Sequence, residues 1–82
     1  MFTVYILYSE KFNKIYIGYT SNLEARFISH NELGTSGWTK SFRPWKILHI
    51  ENFEEKKDAM KREKYLKTAR GRIFVWSLVN TR

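Results

Sequence analysis

Five side chains in this chain have the types and spacing to do chemistry on a phosphate group. Tyr5 and Tyr16 lie in two strand-like runs, "TVYILYS" and "KIYIGYT", and Arg26 and His30 follow in "TSNLEARFISHN". Arg26 and His30 stand four residues apart, so on a helix they are neighbours. A guanidinium meets a phosphate with two hydrogen bonds, which an ammonium cannot do. An imidazole changes charge near neutral pH and can take or give a proton. A solvated arginine beside a half-buried histidine is an equally good account of that pair. The fifth is Glu63. On a helical wheel Ala59, Glu63 and Leu66 fall on one stripe with Met60 beside it. A carboxylate on an apolar stripe is costly unless it is paired, hydrogen-bonded or bound to a metal. Helical spacing alone favours an edge glutamate bridging to Lys67 or Arg62; the rival is a single acidic ligand facing a cleft.

The tyrosines divide in the same way. Tyr5, Tyr8, Tyr16 and Tyr19 all fall in the two strand-like runs, and tyrosine is a good strand residue with one polar end. Gly18, however, shares a face with Tyr16 and is expected to leave open space above the sheet, as a pocket floor would. His49 sits inside an apolar strand and is expected to be structural.

These residues need elements to hold them. Residues 3–9 are rich in β-branched and aromatic types and predict a buried strand. "EKFN" supplies a turn and "KIYIGYT" a second strand, so the pair predicts a hairpin. Ser21 with Glu24 three positions on has the pattern of a capping box opening a helix that carries Leu23, Phe27 and His30 on one stripe. Gly34 and Gly37 mark a loop running to about Pro44, and "WKILHIEN" predicts a third strand. Asn52 with Glu55 is expected to cap the helix "FEEKKDAMKREKYLK". Arg70 and Gly71 are expected to interrupt it before a short terminal helix, "RIFVWSLVN". The order β-β-α-β-α-α predicts an α+β fold, a small three-stranded antiparallel sheet flanked by helices.

Length and composition bound the whole. With 82 residues the chain is expected to form a single domain over 1–82. A hydrophobic fraction of 43% and an aromatic fraction of 17% suffice for a compact core and argue against disorder. There is no cysteine, which excludes disulfides and thiolate metal sites and fits a reducing, cytoplasmic compartment. No apolar run approaches the roughly 18 residues of a membrane span. Fifteen lysines and arginines against eight acids give a net charge of +7 and a pI near 9.9. That surplus favours a polyanionic partner, nucleic acid first and an anionic membrane second.

Taken together, "TVY" at 3–5, "YIG" at 16–18, Arg26 ten residues past Tyr16 and a downstream helical Glu63 resemble the GIY-YIG nuclease superfamily. The second half of that name matches letter for letter, and the first departs by Thr3 for glycine and Val4 for isoleucine. "TSNLEARFISHN", "RPW" before the third strand and "KREKYLK" around the acid are similar to its small single-domain branch, so the likeness covers nearly the whole chain. The resemblance implies a divalent-metal-dependent phosphodiester hydrolase, using Mg²⁺ or Mn²⁺. Glu63 would be the metal ligand, Tyr5 the activator of the attacking water, and Tyr16 its assistant. Arg26 would stabilise the phosphate, and His30 matches a histidine that many members hold near it. Lys40 is a weaker candidate for backbone contact, and Asn80 is too loosely placed to match the late asparagine of some members.

The expected activity is endonucleolytic, on nucleic acid with DNA favoured, as in DNA repair or recombination. Sequence leaves open whether Tyr5 or His30 is the general base. The lysine-rich helix, including Lys61 and Lys64, supplies sequence-independent attraction to the backbone, and Gly18 is a further contact candidate. No base-reading motif is present, so selectivity for structure, or delivery by a protein partner, is expected rather than sequence specificity. The alternative is a non-catalytic nucleic-acid-binding module on the same scaffold. A sheet stacking RNA bases fits less well, because the third strand lacks the glycine and aromatic pattern that such domains carry.

Overall fold

The computed structural model describes residues 1–33 and 38–81. Its elements follow the expected order: β1 (Phe2–Ser9), β2 (Lys14–Thr20), α1 (Leu23–Ile28), β3 (Lys46–Phe53), α2 (Lys56–Leu66) and α3 (Ala69–Thr81). The glycines Gly34 and Gly37, expected in a loop, lie outside the described residues. A short 3-10 helix, Trp38–Phe42, follows them.

The strands form one antiparallel sheet in the order β2-β1-β3. β1 is central, which explains its unbroken apolar run: Val4 through Ser9 are all buried, whereas β2 and β3 are edges. Alternation then sorts side chains to two faces. Val4, Ile6, Tyr8, Ile15 and Ile17 pack against Ala59, Leu66, Val75 and Val79 of α2 and α3. Tyr5, Leu7 and Trp45 form a second cluster on the opposite face with Tyr16, Leu23, Phe27 and Phe42. Trp45 is thus core. In the β1–β3 pairing a bulge sets Ile6 opposite His49 and Leu7 opposite Ile47. The extra residue leaves Leu48 packed on the helix side with Ile6. His49 lies there against the ring of Phe74 and is hydrogen-bonded to Glu51 at 2.9 Å, a structural placement.

Element ends differ from expectation where a competing hydrogen bond wins. Asn22, rather than Ser21, caps α1: its Oδ1 accepts from the Ala25 N–H at 3.1 Å. The Thr20 hydroxyl already accepts from the Asn22 N–H at 3.1 Å, so the turn is spent at Ser21 and the cap moves one residue on. Asn52 does not cap α2, because the sheet claims it: its Oδ1 accepts from the Thr3 hydroxyl at 2.7 Å. α2 opens at Lys56 behind Glu55, which makes no side-chain cap.

The break between α2 and α3 falls at Lys67–Thr68, not at Arg70–Gly71. Thr68 Oγ1 accepts from the Gly71 N–H at 3.1 Å and so starts α3 early. Gly71 is inside α3 because the two helices cross there. A Cβ would strike the Tyr65 carbonyl and lie 2.5 Å from Leu66 Cα, backbone atoms that cannot rotate away. Gly71→Ala is therefore expected to destabilise the fold by about 3 kcal/mol or more. The check is a denaturant titration, with Arg70→Ala as an exposed control near zero.

Candidate active site

The hairpin turn at residues 10–13 is closed by Asn13, which takes a positive φ of 54° and accepts from the Tyr8 hydroxyl at 2.8 Å. That turn fixes the register, and the register sets Tyr5 directly opposite Gly18. The consequence reverses one expectation. Gly18 is not an open floor, because the phenol of Tyr5 fills the space: a Cβ at Gly18 would lie 2.6 Å from the Tyr5 hydroxyl. Glycine is needed there so that Tyr5 can lie flat across β2 towards its free edge.

Tyr16 stacks beside Tyr5, with ring centroids 6.1 Å apart, and His30 closes over both, 4.6 Å from the Tyr16 ring. The Tyr5 hydroxyl and His30 Nε2 are hydrogen-bonded at 3.0 Å, and both residues are largely buried. α1 carries the histidine there by running on into a π-helical turn, Ser29–Leu33. Such turns re-aim side chains and recur at functional sites. Arg43 and Asn31 hold it further. Arg43 Nε donates to the His30 carbonyl at 2.6 Å. Asn31 clasps the backbone of Trp45, accepting at Oδ1 from its N–H at 2.6 Å and donating to its carbonyl at 2.9 Å.

The electrostatics make Tyr5 and His30 a neutral pair. Burial is the main force pushing the Tyr5 phenol far above its ordinary range, with Tyr16 adding to it; Arg26 opposes this, and Glu63 adds again. Burial also lowers His30, helped by the charges of Arg26 and then Arg43. A phenolate at Tyr5 is thus not the resting state. In the tautomer with Nε2 unprotonated, a neutral imidazole would accept the hydrogen bond that the phenol donates.

Arg26 is exposed on α1 and lines a small cleft with Phe2, Tyr19, Thr20 and Lys56. Glu63 arrives from the other side. α2 packs on the face opposite Tyr5, yet Glu63 lines a cleft of about 390 Å³ with Lys61, Lys64 and Tyr19, which is next in sequence to Gly18. The cleft reaches β2 at Tyr19, and the charge of the carboxylate acts on Tyr5. Glu63 is also bridged to Lys67 at 2.9 Å, as its helical spacing favoured, while Arg62 pairs with Glu51 at 2.8 Å instead. Lys40 is exposed in the 3-10 helix, and its charge is not among those acting on Tyr5 or His30.

Residues 1–75 match the family model described as the GIY-YIG catalytic domain. The chain belongs to the GIY-YIG family. Among similar proteins, a UPF0213 protein of Staphylococcus haemolyticus is 43% identical over 58 residues, 71% of either chain. A UPF0213 protein of Clostridium perfringens is 41% identical over 64 residues, 78% of this chain and 68% of that one. The solution NMR structure of a UPF0213 protein from Bacillus halodurans superposes with a TM-score of 0.56 at 27% identity, covering 95% of this chain and 85% of that one. GIY-YIG is a nuclease family, its substrates are nucleic acids, and its members generally use divalent metals.

The donor set fits such an ion. No group of three metal-ligating side chains occurs among the described residues. Mg²⁺, however, keeps most of its waters and needs only one or two carboxylates plus substrate phosphate oxygens. Glu63 Oε1 accepts no hydrogen bond from a described residue, whereas the Lys67 ammonium at Oε2 would compete with an ion. Of the residues that shape this GIY-YIG site, Arg43 and Asn31 had no role in the sequence analysis. Only the fragment "RPW" pointed towards Arg43, because its contact with His30 spans a loop.

His30 has a testable pH signature. Its folded value lies below 6.5, so the unfolded state binds the proton more readily. Stability is then full above the ordinary histidine range and falls as pH drops through the lowered value. Melting scans between pH 8 and roughly pH 5 are expected to show that decline, and His30→Gln to remove much of it. No helix of the described residues is long and apolar enough to cross a membrane.

Proposed function

We propose that this domain is an endonuclease that hydrolyses nucleic-acid phosphodiester bonds, DNA above all, selecting structure rather than sequence. The observation that carries this is the buried Tyr5–His30 hydrogen bond between two groups held neutral, with Arg26 and Glu63 at the same strand edge. A binding surface has no use for an acceptor imidazole hidden behind a phenol. Proton transfer does.

The step follows from that geometry. A water beside the Tyr5 oxygen attacks phosphorus and gives its proton to that oxygen as the phenol's own proton passes to His30 Nε2. The P–O bond to the leaving oxygen breaks, that oxygen takes a proton from solvent, and the imidazolium returns its own proton to solvent. Tyr5 never becomes a free phenolate, which removes the difficulty of its high pKa. Tyr16 holds the imidazole in place by a tilted ring contact. Arg26 supplies a fixed guanidinium where negative charge grows on the non-bridging oxygens. Glu63 would hold Mg²⁺ or Mn²⁺, which supplies Lewis-acid stabilisation of the phosphoryl and leaving oxygens. Lys61 and Lys64, beside Glu63, draw the backbone in without reading bases. The absence of cysteine favours a reducing, cytoplasmic setting, and a protein partner that delivers the site remains part of the proposal.

The test is nicking of supercoiled, gapped and branched DNA, and of matching RNA, with each metal. Metal-dependent nicking of DNA that varies with structure more than sequence is the expected result. One observation favours the second reading, a binding module without catalysis: Glu63 already has a cation partner in Lys67. Tight binding with no nicking of any substrate would select it.

A further inference from the structure

The start of β2 opens on a groove of about 580 Å³ that the mechanism above does not use. Its walls are Lys14 and Tyr16 from β2, Lys67 and Arg72 from the joint of α2 and α3, and Trp76 from α3. The groove is continuous with the candidate site at two points. Tyr16 belongs to both, and Lys67 is the residue bridged to Glu63. Among the described residues no acid lines it, and three of the lining side chains are cationic.

Two of these side chains are posed rather than loose. Trp76 is half-buried and held edge-on by the Tyr8 ring, at 6.4 Å and 90°, which leaves its orientation fixed. Arg72 Nε donates to the Lys67 carbonyl at 3.3 Å, and its other N–H groups make no hydrogen bond to a described residue. An oriented indole beside a partly free guanidinium is the combination that binds single-stranded nucleotides. The ring takes a base by stacking, and the cations take the phosphate.

We infer that this groove is a subsite for one unpaired nucleotide flanking the scissile phosphate, with its base on Trp76 and its phosphate between Arg72 and Lys14. The inference rests on the nuclease proposal for its scissile phosphate and sharpens it. A base can reach the indole only when it is out of a duplex stack, so the preferred structures carry a single-stranded flank, such as a flap or a gap. The flank runs along the edge of β2 away from Arg26, because Arg26 lines the cleft that holds Thr20 at the other end of the strand.

The test combines binding and cleavage. Affinity for a labelled oligothymidylate of about six nucleotides is measured by fluorescence anisotropy without metal, over a range of salt. Trp76→Leu is expected to weaken binding about tenfold. The Lys14→Ala/Arg72→Ala double variant, built at exposed positions, is expected to weaken it by a similar factor. It should also flatten the log–log salt slope by about 1.4, near 0.7 for each lost single-strand phosphate contact, which a folding defect does not produce. Loss of the parent's preference for flapped over blunt duplex DNA should accompany both. A parent that cuts DNA while the double variant keeps parental affinity, slope and preference overturns the groove and leaves the nuclease standing. A parent that binds the oligonucleotide with the expected losses but never cuts supports the groove and sinks the nuclease. A parent that does not bind the oligonucleotide overturns the groove.

Discussion

Glu63→Ala is expected to reduce metal-dependent nicking by about 10³-fold or more while leaving DNA affinity within about threefold. The expectation separates two jobs that this side chain holds at once. As a salt-bridge partner of Lys67 it is worth little, since the lysine is 47% exposed and helical pairs of this kind contribute only about 0.3–0.5 kcal/mol. As a carboxylate whose charge acts on Tyr5, it would carry the ion on which transition-state charge is balanced. Removing it should leave the melting temperature almost unchanged and the chemistry absent. Lys67→Met makes the converse point. With its competitor gone, Glu63 should need less Mn²⁺ for half-maximal activity, and isothermal titration without DNA reads the same change. An alanine variant at Glu63 that still nicks at the parental rate would place the metal ligand elsewhere.

Tyr5→Phe is expected to lower kcat about 10²- to 10⁴-fold with KM little altered, because it deletes the hydroxyl through which the water's proton would travel. It also carries a stability cost, unlike the change at Glu63. His30 Nε2 loses its hydrogen-bond partner in a buried place, which costs about 1–3 kcal/mol. For a domain of this size that amounts to about 4–8 °C of melting temperature per kcal/mol, so the assay belongs well below the transition. Tyr16→Phe keeps the ring on His30 and should lose much less activity. Equal losses at the two tyrosines would mean that both phenols act by packing.

Much of this architecture is legible in the sequence, for local reasons. The hairpin, the third strand and the two later helices announce themselves because alternation, turn residues and a 3.6-residue period are properties of neighbours. The spacing of Tyr5, Tyr16 and Arg26 survives for the same reason, since a hairpin and the helix after it carry these residues in sequence. What escaped was set by distant partners. Asn52 has the type of a helix cap and becomes a sheet residue only because Thr3, forty-nine positions earlier, takes its side chain. Gly18 marks a close approach, but the occupant is Tyr5, and the cross-strand register decides that. Gly71 suggests a helix break and instead permits a helix crossing. The helical wheel puts Glu63 on the margin of a buried stripe. It cannot say that this margin meets the far face of the sheet round the edge of β2.

That meeting is the central claim: an acid on one side of the sheet and a phenol–imidazole pair on the other share one phosphate. Mn²⁺ titrated into isotope-labelled protein tests it directly, because a bound paramagnetic ion broadens nearby resonances. Broadening strongest at Glu63, Tyr19, Gly18 and the His30 ring, and lost in Glu63→Gln, is the result expected. Strongest broadening along β3, or at the end of α3, would contradict it.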